Sequence, residues 1–341
     1  MPPDLEASIK KVTGGAMPVW GPRLASVPWV VRGFLYGIDK KVSHMPVELW
    51  DLIAFVVSQD NACRYCYGAT RTILKVLGYG EQSITRLEGD VHLAEIPAAE
   101  KAALRFARKL SQANPLPTAP DLRALADAGF SRPAIAEIVY IAAFAGYGNR
   151  VATMFALPPD ELEHILDNPV MRLMRPLLAR RFRGTRQPVA MLPAPNEPPC
   201  ADLIAALEGS PGAHVARSML DEALASPVLS SRTKLLMFAV IGRALGGEYV
   251  EREAQRALAA EGMAAADLDD VLSNLGSPTL DERERLLVPF ARETVRYRSL
   301  AIQRRTHELS ARLSIEELIE AVGAASLANS VARMAVLLDP C

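Results

Sequence analysis

Residues 234–258, KLLMFAVIGRALGGEYVEREAQRAL, lay over residues 51–75, DLIAFVVSQDNACRYCYGATRTILK, with Phe238 on Phe55 (238 − 55 = 183). Two further stretches match in the same order. PFAR at 289–292 falls on RFAR at 105–108 (290 − 106 = 184), and NSVARM at 329–334 falls on NRVATM at 149–154 (329 − 149 = 180). Three ordered matches at a nearly constant offset are the mark of an internal repeat, with loop changes absorbing the drift. The chain is therefore expected to hold two related units. GTRQPVAMLPAPNEPPC, residues 184–200, carries five prolines and no helical period, so it reads as a linker between units at 1–183 and 201–341.

Within each unit the apolar period is helical. Val47, Trp50, Ile53, Ala54 and Val57 share one face. Asp60 or Asn61 is placed to cap the next helix, which runs through CRYCYGATRTILKVLG to Gly78. Pro97 opens PAAEKAALRFARKLSQA, and Thr118 and Gly129 bracket TAPDLRALADAG. SRPAIAEIVYIAAFAGYGNRVATMFAL is nearly all apolar, hence a buried helix. PPDELEHILDN and VMRLMRPLLARRF read as the last helices of the first unit. No stretch alternates as a strand does, and the expected fold class is all-α.

Half of the 341 residues are hydrophobic, enough for one large core or two smaller ones. The net charge of −1 gives no basic field for nucleic acid. No apolar run reaches the roughly 18 residues of a membrane span, and the N-terminus lacks the apolar stretch of a signal peptide. A cytoplasmic protein is expected, with neither nucleic acid nor membrane as partner.

Of the four cysteines, Cys63 and Cys66 sit three apart at a helix start, while Cys200 and Cys341 stand alone. This is a pattern for a reduced compartment with one special site. A spacing of three puts both sulfurs on one side of the first turn. The positive helix end and its free N–H groups favour a thiolate, and the second thiol can resolve an oxidised first one. The alternatives are weaker. A zinc site needs more ligands, haem attachment needs His where Tyr67 stands, and a thioredoxin motif needs a βαβ context. The bland reading is two small buried hydrophobes, against which the polar neighbours Asp60, Asn61 and Arg64 argue. At offset 183, Cys63, Cys66, Thr70 and Asp51 map to Gly246, Tyr249, Glu253 and Lys234, so thiol chemistry belongs to the first unit.

An acidic residue on one helix, CxYC at the start of the next, and a buried helix ending NRVA resemble the alkylhydroperoxidase D-like and carboxymuconolactone decarboxylase superfamily. The peroxidase-related group is the nearest in flavour. The resemblance covers about residues 45–157 and reaches the second half only through the repeat. It implies a helical bundle that assembles as a homo-oligomer and needs no cofactor or metal. The CxxC pair would reduce a hydroperoxide and be recharged by a dithiol such as a lipoyl group. The family pattern implies Cys66 as the attacking thiol and Cys63 as the resolving one. The relay Glu and His fall on Asp51 and Thr70, and a threonine hydroxyl is no base near neutral pH. Tyr65, Tyr67 and His44 are the candidate substrate-side groups, with His44 a possible substitute shuttle or an ordinary surface histidine. The decarboxylase branch implies a second function: a non-redox enzyme acting on a small organic acid or lactone. A non-catalytic family member is the third.

Other features carry structural readings. The run Arg172, Arg175, Arg180, Arg181, Arg183 and Arg186 is expected as a solvated face, with an acidic partner as the alternative. Trp20, Trp29, Phe34 and Tyr36 are expected to pin the N-terminal arm to the core rather than roof the cysteines. Asn149 and Asn329 recur in both units and point to buried hydrogen bonds.

Overall fold

The structure, a computed structural model, describes residues 1–159, 161–186 and 198–338. Cys341 and most of the proline-rich linker lie outside the described residues. The protein is all-α, apart from a two-residue parallel pairing of Lys41–Val42 with Thr185–Arg186.

Three helices form the N-terminal arm: α1 (Pro3–Thr13), α2 (Trp20–Leu24) and α3 (Pro28–Ile38). Six follow: α4 (Val47–Asp60), α5 (Arg64–Leu77), α6 (Glu81–Gly89), α7 (Ala98–Gln112), α8 (Ala119–Asp127) and α9 (Arg132–Met154). After α10 (Pro169–Leu173) and α11 (Arg175–Phe182) the second half begins with α12 (Ala201–Ala206) and α13 (Pro211–Ala225). Six more close the chain: α14 (Ser231–Leu245), α15 (Glu248–Ala260), α16 (Ala265–Ser273), α17 (Glu282–Glu293), α18 (Ser299–Ser310) and α19 (Ile315–Met334). The helices α14 to α17 each start 184 residues after α4 to α7 (231 − 47 = 184).

The local chemistry sets these boundaries. Thr118 and Asp121 form a capping box at α8, as do Ser314 and Glu317 at α19. Gly78 and Gly129 take left-handed conformations at helix ends. Two expected helices are shorter than their sequences suggest. PPDELEHILDN yields only the 3-10 turn Glu161–His164, and VMRLMRPLLARRF splits into α10 and α11 at Met174. Pro176 lacks the N–H that would continue the ladder across that point.

The central pair is α9 against α19, each buried almost throughout. Ser330 in α19 donates to the Ala143 carbonyl of α9 at 2.9 Å. Around them the buried residues of both halves form one hydrophobic cluster. The arm joins it from outside. Trp20 stacks on Phe34 at 5.1 Å, and the Trp29 indole donates to Glu320 of α19 at 3.3 Å. Gly33 lets α3 approach α9, since a methyl there would fall 2.4 Å from the buried Tyr147 ring. The stretch Ile315–Leu338, which contains α19, is long and apolar enough to cross a membrane, and 89% of its apolar window is buried inside the protein.

Candidate functional site

The cysteines sit at the corner between α4 and α5. The helix α4 runs through Asp60, so neither Asp60 nor Asn61 caps α5 as the sequence suggested. Asn61 turns back instead, its amide donating to the Val57 carbonyl (2.9 Å) and to Ser111 Oγ (2.8 Å). Ala62 then takes a left-handed φ of 48°, unusual for a residue with a Cβ, and Cys63 becomes the N-cap. Its sulfur accepts the backbone N–H of Cys66 at 3.2 Å, and the two sulfurs stand 2.6 Å apart. A thiol thus does the work that Ser or Asp does at an ordinary cap.

Electrostatics divide the pair. Burial alone would raise Cys63, but the thiol and N–H of Cys66, the Thr153 hydroxyl and the Tyr65 N–H hold its pKa below the usual thiol value. Burial pushes Cys66 well up, and the neighbouring Cys63 thiolate pushes it further, against a smaller opposite pull from the Asn149 amide. The negative charge therefore gathers on Cys63, which is buried, while Cys66 is the less buried of the two.

The second half of the chain contributes to this corner, which the sequence did not announce. The segment 294–298, between α17 and α18, and Ser299 at the start of α18 are tied to the first half. Arg150 in α9 donates to the Thr294 carbonyl at 3.2 Å and the Val295 carbonyl at 3.4 Å. Arg296 donates to the Ala113 carbonyl, and Ser299 Oγ to the Ala62 carbonyl beside the cysteines (3.2 Å). So held, Tyr297 faces the hydroxyl of Thr153 and feels the charge of both sulfurs. Burial pushes its phenol up to about 12, so it stays protonated near neutral pH. The only sequence signal was indirect: a lone Tyr just past the repeated PFAR.

The chain matches no family model, no curated protein and no solved structure. The geometry of the site has to carry its own reading.

The other expected site residues are spread out. Thr70 Oγ1 donates back to the Cys66 carbonyl at 2.8 Å and approaches that of Tyr67 at 3.2 Å, which ties it to its own helix. Tyr67 stacks on Phe55 (5.6 Å) and donates to Glu88 at 2.5 Å, while Tyr65 is buried and lends the pair its N–H. His44 bonds the Gly209 carbonyl at 3.0 Å, and its backbone N–H goes to Glu137. Neither contact points it to the sulfurs.

Asp51 lies at the other end of the helix pair. A short turn makes α4 and α5 antiparallel, so the start of α4 meets the end of α5. There Asp51 is buried, with Lys40 Nζ 2.5 Å from Oδ1, and Oδ2 has no donor. Burial raises its pKa, and Lys40 pulls against that. Asp51 lines a cavity of about 360 Å³ with Glu48, Leu77, Tyr79, Ser83 and Arg183.

Cys200 is buried with a pKa pushed up to about 12, chiefly by burial. Among the described residues no group of three or more His, Cys, Asp or Glu side chains could hold a metal ion.

Proposed function

We propose that this protein is a tandem-duplicated helical bundle of the alkylhydroperoxidase D-like class, and that the Cys63–Cys66 pair reduces hydroperoxides at the expense of a dithiol. The observation that carries the redox reading is the 2.6 Å approach of the two sulfurs at a helix start where one of them already accepts an N–H. The duplication is supported by the common offset of α4–α7 and α14–α17. It is also supported by buried counterparts at one offset, Glu137 with Glu320 and Arg150 with Arg333 (both 183).

In the reduced pair Cys63 carries the charge and Cys66 holds the one proton. Its passage from Cys66 to Cys63 frees a thiolate on the less buried sulfur, so Cys63 takes the part of the base that Thr70 lacks. The Cys66 thiolate attacks the terminal oxygen of R–O–O–H. The O–O bond breaks, the alkoxide takes the proton back from Cys63 and leaves as alcohol, and Cys66 becomes a sulfenic acid. Cys63 thiolate attacks that sulfur, the S–S bond forms, and hydroxide leaves to become water. An external dithiol then attacks Cys66, Cys63 departs as the stabilised thiolate, and the dithiol ends as a disulfide.

Peroxide consumption with dihydrolipoamide tests this. Turnover by the wild type, abolished in Cys66→Ser, is expected. Equal consumption by both proteins, or none by either, overturns it. A second reading, a non-redox enzyme acting on a small organic molecule, is favoured by the cavity over Asp51. It requires Cys66→Ser to keep full activity while Asp51→Asn loses it.

A further inference from the structure

Three buried polar atoms at the cysteine corner have no hydrogen-bond partner: Asn149 Oδ1, Thr153 Oγ1 and the Tyr297 hydroxyl. All three side chains adjoin the cysteine pair. The Asn149 amide acts on Cys66, the Thr153 hydroxyl acts on Cys63, and the Tyr297 phenol lies by Thr153 and both sulfurs. A buried polar group left unpaired costs about 1–3 kcal/mol, so three in one place suit a polar ligand that can pair with them. Their chemistry specifies it. Two hydroxyls donate and one amide oxygen accepts. A hydroperoxide group offers two acceptor oxygens and one O–H.

Two of these atoms belong to α9, on which the α5 corner packs. The third comes from the other half of the chain, and it is placed with care. Arg150 lies over the Tyr297 ring at 5.7 Å from its centroid, and its guanidinium is anchored on the backbone just before it. Arg333 of α19 adds a bond to the same Val295 carbonyl at 3.3 Å. An arginine pair thus fixes a hydroxyl that faces Thr153 and the two sulfurs.

We infer that Asn149, Thr153 and Tyr297 form a binding pocket for the O–O–H group of a hydroperoxide. The Tyr297 phenol donates to the oxygen on which charge develops as the O–O bond breaks. The inference rests on the thiol redox reading above. It gives the second half, which has no cysteine pair, a catalytic duty, the supply of an electrostatic donor that the first half lacks. No proton or electron is added to the balance already given, because Tyr297 donates a hydrogen bond and keeps its proton.

The test is Tyr297→Phe, which deletes one hydroxyl and keeps the ring under Arg150. Three quantities are measured on wild type and variant: the rate of dithiol oxidation by cumene hydroperoxide in a single turnover, the rate of alkylation by iodoacetamide, and the urea midpoint. Oxidation should slow by about 10- to 100-fold, the scale of losing one preorganised donor. Alkylation should change by less than about twofold, and stability should hold or rise because an unpaired hydroxyl is removed. Unchanged oxidation overturns the inference. Equal slowing of oxidation and alkylation also overturns it, since that marks a structural role in shaping the thiolate. A wild type that hydroperoxide does not oxidise overturns the redox reading itself, and the pocket with it.

Discussion

Arg150 and Tyr297 meet face on across the two halves of the chain, the guanidinium 5.7 Å from the ring centroid. Arg150 is buried, its pKa is held below the ordinary value by that burial, and it donates to backbone carbonyls: Gly146 at 3.1 Å, Thr294 and Val295. At the offset that pairs Glu137 with Glu320 (320 − 137 = 183), its counterpart in the second half is Arg333 (333 − 150 = 183). Each half therefore sends one buried arginine into the other. Arg333 mirrors the arrangement on the Leu110 and Ser111 carbonyls at the end of α7.

The first prediction concerns that clamp. Arg150→Lys keeps the charge and loses the planar fork that reaches three carbonyls at once. A loss of about 2–3 kcal/mol is expected from equilibrium urea unfolding, at two or more stranded acceptors. Wild-type stability in the variant would mean that the 294–299 segment is held by something else.

What was legible in the sequence follows the range of the interaction that decides it. The cap of α8, the buried run of α9, the cysteine pair at the start of α5 and the buried asparagines are local or periodic, and all stood in the sequence. Tyr297 did not, because its place by the sulfurs depends on Arg150 and Ser299, contacts made across more than 140 residues. The cap of α5 was misassigned because Asp60 and Asn61 are better cap residues than cysteine by propensity. Tertiary bonds took both: Asp60 to Arg108 and Asn61 to Ser111. The charge exchange at Asp51 and Lys234 was visible as a substitution, but their partners Lys40 and Glu320 were not.

Gly33→Ala tests the close approach of α3 to α9. The added methyl would lie 2.4–2.6 Å from three Tyr147 ring and hydroxyl atoms, and Tyr147 is buried with its hydroxyl on the Val30 carbonyl at 3.2 Å. Overpacking of this kind costs about 1–3 kcal/mol. Tyr147→Leu is expected to absorb the methyl, so the double variant should be less destabilised than the sum of the singles, read as a non-additive urea cycle.

Asp60 makes stability depend on pH. Burial raises its carboxyl to about 6 from 3.8, against the pull of Arg108 and Gln112. A raised pKa means that the folded protein holds this proton between pH 3.8 and about 6 while the unfolded chain releases it. The stabilisation is present in full below 3.8 and is lost as pH rises through about 6, amounting to about 3 kcal/mol. Asp60→Asn removes the ionisation. The stability of the wild type relative to this variant should therefore fall between pH 4 and 7; parallel curves for the two proteins would exclude Asp60 as the titrating group.

The buried pair Lys234–Glu320 gives the last prediction. Both side chains are at most 1% exposed, with Nζ 3.0 Å from Oε1, and Lys234 also donates to the Ala223 and Ser226 carbonyls at 2.6 Å each. Glu320 accepts in turn from Trp29 of the arm, Ser226 and the Leu229 N–H. Removing the cation alone, in Lys234→Met, strands a buried carboxylate and should cost about 3–5 kcal/mol. Adding Glu320→Gln removes that charge and keeps an acceptor for the indole and the serine. The double variant should therefore recover at least about 1 kcal/mol over Lys234→Met, measured by urea unfolding. Recovery would show that the second half keeps Lys234, where the first has Asp51, to neutralise Glu320 at the seat of the arm. A double variant no better than Lys234→Met would assign the whole effect to the lysine's two carbonyl bonds.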